Sequence, residues 1–327
     1  MTDEVDIKEN ELLARHPEVL RLLLLDQTTK RNIFWATDSY AELGEGYQWG
    51  DPITVEHITG EHGDTIQPRS VKSLEVQSQR SKDMAEVFTP SWVCNAQNNM
   101  ADTKWFGRSD VFNHENDVHT WTPTEGKIEF PKGSSRTWEK YVEANVLEVT
   151  CGEGPYLASR YDTVTGEFIP VGRRIGLLDR KLRIVGENTG DREEWLSWAK
   201  AAYRSAYAFE WQGDSLMLAR EAAFCTFIDY YSARFGELPP DEDMNEMAEI
   251  ISWNLWQMDG LRGVVPGSCH DGEKRTEEDL FGVTEQIINC SGCRNGDIMS
   301  HNGIYCLIRD WGLRGRKEKR FIDLIRR

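Results

Sequence analysis

No stretch of this 327-residue sequence approaches the roughly 20 consecutive apolar residues that a membrane-spanning helix requires. Met1-Thr2-Asp3-Glu4 has neither the basic nor the apolar part of a secretory signal, so a cytoplasmic protein is predicted. The seven cysteines are an odd number, which without an export signal argues against a disulfide framework. Internal repeats and low-complexity tracts are absent. So is any overall excess of basic charge: the net charge is −17, whereas affinity for a phosphate backbone comes mainly from Lys and Arg. The local exception runs from Arg314 to Arg327, where seven basic residues meet two acidic ones. That tail reads either as a solvated terminal segment or as a contact for nucleic acid or an acidic partner.

Apolar residues make up 39% of the chain, with 12 Trp, 10 Tyr and 12 Phe, so a sizeable core can form within one large α/β domain or two modest ones. Residues 10–25 carry leucines at helical spacing, interrupted by Pro17. Residues 32–65 read as turns and short strands without an assignable chemistry. Thr89 as cap and Pro90 in the first turn predict a helix towards Met100. A further helix, Thr137 to Ala144, leads into an apolar run ending at Glu148. After it, Tyr156 to Arg160 is predicted helical, and Asp162 to Gly190, with Asp179-Arg180-Lys181, reads as an irregular charged insertion. Helices are then predicted over 193–203, 215–235 and 244–253, with short strands at 206–209 and 255–258. Helix–strand alternation of this kind favours a parallel, doubly wound sheet.

The chemistry concentrates around Glu148-Val149-Thr150-Cys151-Gly152-Glu153-Gly154-Pro155-Tyr156-Leu157. A strand, a glycine-broken turn and a helix-opening proline are what an α/β fold uses to bring backbone N–H groups close to a small ligand. Glu210 and Asp259 fall at the ends of the two later strands, where ligands bind in open α/β sheets. Glu210 is placed to accept hydrogen bonds from the hydroxyls of a ribose.

In order and composition these elements resemble a DNA adenine-N6 methyltransferase, of the kind that serves as modification subunit in restriction–modification systems. The segment 148–157 is similar to that family's acid-Pro-x-Cys-Gly-x-Gly-x-Phe-Leu cofactor loop, with Val149 in place of the usual proline. Phe88-Thr89-Pro90 is similar to the family's Phe-Thr-Pro element, and Tyr207-Ala208-Phe209-Glu210 and Asp259-Gly260-Leu261 to its second and third acidic elements. The resemblance implies a Rossmann-like fold that binds S-adenosylmethionine through Phe88, Thr89, Pro90, Glu148, Cys151, Gly152, Gly154, Glu210 and Asp259. It also implies methyl transfer to a flipped adenine of DNA. The family's catalytic Asn/Asp-Pro-Pro-Tyr/Phe loop has no counterpart in this sequence, so no catalytic residue is assigned. Two functions are therefore expected as alternatives: a methyltransferase or modification subunit that reaches DNA through a partner subunit or separate target-recognition component, or an inactive methyltransferase-fold subunit acting in binding or hetero-oligomer assembly.

Four cysteines lie beyond residue 268. Cys290-x-x-Cys293 with distant Cys or His residues suits tetrahedral zinc, and the candidate set is Cys269, Cys290, Cys293 and Cys306, with His270 or His301 as substitutes. The predicted organisation is a helical and irregular region over 1–80, a methyltransferase-like domain over 81–268 and a Cys/His-rich zinc module with its basic tail over 269–327.

Overall fold

The computed structural model describes residues 9–84, 88–133, 135–279, 282–312 and 318–325. Three short parallel strands organise it: β1 (Val146–Val149), β2 (Ala206–Glu210) and β3 (Leu255–Gln257), in the order β1-β2-β3. Val146 pairs with Ala206 and Val149 with Phe209, while Ala208 pairs with Leu255 and Glu210 with Gln257. This is an α/β protein with a three-stranded parallel sheet and helices in the connections. Among the described residues no helix is long and apolar enough to cross a membrane.

Alternation along β2 gives the sheet two different faces. Ala206 and Ala208 turn to one side with Leu255, and their small side chains join the principal core of leucines, aromatics and helix-borne alanines. Tyr207 and Phe209 turn to the other side with Trp256. There Phe209 and Trp256 build a second cluster with Met258, Val265, Cys306, Ile308 and Phe321. Residues from the C-terminal region thus lie directly on the sheet: Tyr305 bridges Val264, and the Cys306 N–H donates to Gly263.

Among the described residues, the frame is completed chiefly by the helices α1 (Glu9–Arg15), α2 (Pro17–Leu24), α3 (Leu74–Met84), α4 (Ser91–Phe106), α5 (Trp138–Val142), α6 (Leu177–Asn188), α7 (Arg192–Arg204), α8 (Gly213–Phe235) and α9 (Asp241–Asn254). The break at Pro17 falls between α1 and α2, and Leu20, Leu23 and Leu24 are buried without remainder. Asp191 caps α7 by accepting the Glu194 N–H at 2.9 Å, and α8 stops at Gly236 with φ 74°. Most of α8 is buried, which brings Arg220 into the core. Its guanidinium donates to the carbonyls of Leu23, Leu25, Ser252 and Leu255, tying the N-terminal helices to the start of β3.

Three local expectations need correction. Residues 162–190 are not an irregular insertion throughout: α6 occupies 177–188, with Leu178, Leu182, Ile184 and Val185 buried. Its charged triad is interior too. Asp179 accepts the Ser159 N–H and hydroxyl, Arg180 ion-pairs with Asp102 and donates to Asn95 and Asn99, and Lys181 donates to Ala144 and Ser205. Charges that satisfy one another inside a fold are invisible to a reading that treats them as solvated. No helix follows Pro155: residues 155–157 form turns, with Leu157 and Ala158 donating to the Gly154 carbonyl and Tyr156 and Leu157 donating to Glu148. Finally, α4 begins at Ser91 but Thr89 does not cap it. Its first N–H is taken at 2.7 Å by Asp162, which is remote in sequence.

Candidate functional site

The carboxyl ends of β1 and β2 open into a cleft of about 1130 Å³. It is lined by Phe88, Thr89, Glu148, Cys151, Gly152 and Glu210, six of the nine residues singled out for a cofactor. The turn after β1 has unusual backbone geometry. Thr150 has φ 48° and Gly152 φ 53°, both in the left-handed region. Glycine enters it freely, but a β-branched threonine is strained there by roughly 1–3 kcal/mol. The strained residue lies on the cleft wall. A side chain at Gly152 would also point at Phe88, whose ring lies 3.6 Å from the position of such a Cβ.

Each carboxylate holds this turn in place. Glu148 is buried and accepts the N–H groups of Tyr156 at 3.1 Å and Leu157 at 3.0 Å. Burial drives its pKa up to about 8 against those two bonds, and the charge of Glu210 adds to the rise. Glu210 accepts the N–H groups of Gly152 at 2.8 Å, Trp211 at 2.8 Å and Gln212 at 3.2 Å. Its pKa is also raised, by burial in the first place, despite the three donors. A carboxylate offers about four lone-pair positions, so Glu210 retains acceptor capacity for one further hydroxyl. Burial likewise pushes the Cys151 thiol far above its ordinary range and leaves it inert as a nucleophile.

The remaining three predicted residues stand outside the lining. Pro90 is the residue before α4. Gly154 packs on α8, where a Cβ would lie 3.4 Å from that of Ala219. Asp259 is buried, but its carboxylate closes its own turn by accepting the N–H groups of Leu261 at 3.0 Å and Arg262 at 3.2 Å. It stands outside the cleft lining, since β3 ends at Gln257 and Asp259 pairs with Val264 across its turn. Glu153, next to the turn, is buried away from the cleft, accepting the Tyr161 hydroxyl at 2.6 Å and the Arg69 N–H at 2.7 Å.

The cleft has a wall that sequence reasoning passed over. Ala36, Asp38, Ser39, Glu42 and Trp49 come from the N-terminal region that offered no chemical motif. No periodicity or spacing marks them. Trp211, by contrast, directly follows Glu210 and was within reach of the strand-end argument. Arg80 lines the cleft but is held by Gln212 and by the buried Asp214, each at 2.8 Å. Asp38, Glu42 and Glu210 thus face a single, already paired guanidinium among the described lining residues, while Glu148, its pKa raised to about 8, is mostly neutral at pH 7. An acidic cleft of this kind suits a cationic ligand and opposes a pyrophosphate.

A second constellation lies in the C-terminal region. The Sγ atoms of Cys269, Cys290 and Cys293 stand 3.6, 3.3 and 3.6 Å from Nδ1 of His301, and all four ligand atoms lie within 4.8 Å of one another. Zinc bond lengths of about 2.3 Å to sulfur and about 2.0 Å to nitrogen place tetrahedral S and N ligands roughly 3.5 Å apart. The group therefore has the donor set and spacing to hold a metal ion such as zinc. Gly292 makes the approach possible, since a Cβ there would sit 2.7 Å from the His301 ring. His301 is positioned in turn by the Tyr305 hydroxyl, which accepts its N–H at 2.8 Å.

His301 takes the place that the primary candidate set gave to Cys306. Cys306 is fully buried in the second cluster and donates to the Gln257 carbonyl at 3.4 Å. His270 is outside the ligand group, its backbone joined to the side chain of Asn302 in both directions. In the basic tail, Lys319 pairs with Asp310 at 2.7 Å and Arg320 with Asp323 at 2.8 Å. Arg314, Arg316, Lys317, Arg326 and Arg327 lie outside the described residues, as do Glu86 and Val87. No protein-family model, no curated protein and no solved structure matches this chain.

Proposed function

We propose that the cleft binds S-adenosylmethionine and that the protein works as a DNA adenine-N6 methyltransferase or as the modification subunit of one, on a Rossmann-like methyltransferase fold. The observation that carries this reading is convergence. Phe88 and Thr89, the Cys151-Gly152 turn and Glu210 are far apart in sequence, yet they meet at the carboxyl ends of two adjacent parallel strands. The acidic lining favours a sulfonium over a phosphate. Glu210 has acceptor capacity for a ribose hydroxyl, and Phe88 over Gly152 offers an apolar surface for the rest of the ligand.

When bound, S-adenosylmethionine supplies an electrophilic methyl group. The protein's own part is then positioning: Glu148 and Glu210 fix the turn, while Trp49 and Trp211 add aromatic surface to the cleft wall. Cys269, Cys290, Cys293 and His301 hold a structural zinc ion in this reading, because four protein ligands leave no open position for catalysis.

The absence of the family's catalytic tetrapeptide from the sequence favours a second reading, an inactive methyltransferase-fold subunit that acts in complex assembly. Calorimetric titration with S-adenosylmethionine tests the element common to both, and a flat titration rejects it. Transfer of labelled methyl groups to DNA, measured with and without candidate partner subunits, separates the two. Label in DNA supports the enzyme, and binding without transfer in every combination supports the assembly subunit.

A further inference from the structure

A second cavity, of about 260 Å³, lies apart from the cleft and shares no lining residue with it. A short hairpin, pairing Asn113 with Pro123 and Glu115 with Trp121, forms one side. The Trp121 indole ties that side down by donating to the Arg173 carbonyl at 2.7 Å. Residues 171–174, the first two turns of α6 and Tyr230 of α8 complete the wall.

In a chain of net charge −17 this lining is cationic, with Arg173, Arg174, Arg180 and Arg183 against Asp179 alone. Asp229, Asp102 and Glu187 pair with three of these arginines, but none of the three carboxylates lines the cavity. Arg180 and Arg183 have every nitrogen engaged inside the protein, so they lend charge and no free donor. Arg173 is exposed, and its guanidinium has no partner among the described residues.

Two buried polar atoms are left over. The Arg174 side chain is fully buried, with Nε on the Ile169 carbonyl at 3.0 Å and Nη2 on Asp229 at 2.7 Å. Its Nη1 has no acceptor. Asp179 accepts the Ser159 N–H, the Ser159 hydroxyl and the Gly176 N–H on Oδ2, and its Oδ1 has no donor. The two residues are neighbours: burial raises the Asp179 pKa, and the Arg174 charge opposes the rise. Unmet groups at such depth are costly, and both residues line the cavity. The space is many times the roughly 15 Å³ that admits one water, so a larger occupant fits.

That occupant must accept from Arg174 and also offer a hydrogen to Asp179. Sulfate or a simple carboxylate supplies the first and not the second. Hydrogen phosphate supplies both on one compact centre, because it keeps an O–H even when doubly charged. We infer that the cavity is a binding site for inorganic phosphate, whose oxygens meet Arg174 and Arg173 and whose O–H meets Asp179. The site is argued from this cavity alone and stands whatever occupies the cleft.

The test is calorimetric titration of the full chain with inorganic phosphate and with sulfate at about pH 8, well above the ordinary carboxyl range. Both ions are then mainly dianions of similar size, and only phosphate carries an O–H. Phosphate should bind at least about tenfold more tightly, because sulfate sets an oxygen against an unmet acceptor. Methyl phosphate, whose dianion has also lost its proton, should behave like sulfate. Asp179→Asn keeps an oxygen for Ser159 and Gly176 and turns an NH₂ group to the cavity, so the preference for phosphate should disappear. Arg173→Ala breaks no side-chain bond inside the protein, should unfold at the wild-type denaturant concentration and should weaken phosphate severalfold. Equal affinity for phosphate and sulfate marks an ordinary cationic patch and overturns the inference, as does tighter binding of lactate than of phosphate. So does a flat phosphate titration, or an Arg173→Ala variant that binds phosphate as the wild type does.

Discussion

Replacing Glu148 by glutamine should change how stability depends on pH, and the size of the change follows from where the carboxyl sits. In the fold its pKa is about 8, against an ordinary value of 4.5. Between those values the folded state holds a proton that the unfolded state has released. This contribution to stability is therefore complete below about pH 4.5 and is lost as pH rises through about 8. A difference of this size corresponds to roughly 5 kcal/mol at most, and relaxation of the turn or entry of water would make it smaller.

Glutamine cannot lose a proton, so this part of the slope disappears. Its amide oxygen can accept the N–H of Leu157, but the NH₂ group would face the N–H of Tyr156, which costs about 1–3 kcal/mol. The two stability curves should therefore converge or cross. Glu148→Gln should be the less stable protein near pH 5 and equal to or more stable than wild type near pH 8. Urea unfolding at several pH values between these limits reads this directly. A wild-type curve that rises over the interval, or a variant that keeps the wild-type slope, would refute the argument. Glu210, Asp102 and Asp179 are also shifted upward by burial. Only the difference between the two proteins isolates Glu148.

Three further outcomes are expected. The purified protein should carry about one equivalent of zinc after loosely bound metal is removed. Cys290→Ser and His301→Ala should lose it, whereas Cys306→Ser should keep it and cost only about 1 kcal/mol, as read by elemental analysis and denaturant unfolding. Thr150→Gly should raise stability by about 1 kcal/mol, because relief of the left-handed strain exceeds the added freedom of the unfolded chain. An unchanged or lower unfolding midpoint would count against strain at that position. Arg220→Met should cost about 3–5 kcal/mol, since it leaves four buried carbonyls short of a donor. A loss below about 1 kcal/mol would show that water replaces the guanidinium.

Much of the sheet was legible because its strands obey local rules. The alanine–aromatic alternation of 206–209 and the glycine turn after Glu148 marked β1 and β2, and Gly236 marked the end of α8. α6 was not legible. Its Asp179-Arg180-Lys181 run is ordinarily a solvent face, and only the partners Ser159, Asp102, Asn95, Ala144 and Ser205 make it an interior one. The N-terminal wall of the cleft was equally hidden, because Asp38 and Trp49 acquire meaning only when the chain brings them opposite Glu210.

The metal centre divides the two kinds of information most sharply. Cys290 precedes the short helix Ser291–Asn295 and Cys293 lies within it, three residues on, so the spacing places both sulfurs on one side and the sequence alone determines the pair. Four further residues were within reach as the remaining ligands, and composition could not rank them. Tertiary structure decided the matter through one bridge. Pairing Tyr305 with Val264 commits residue 306 to the adjacent, opposite-facing position, and its thiol enters the apolar cluster on the sheet. The Tyr305 hydroxyl meanwhile holds His301 at the sulfurs. A one-residue alternation along an extended segment thus sends the cysteine to the core and leaves the histidine for the ion.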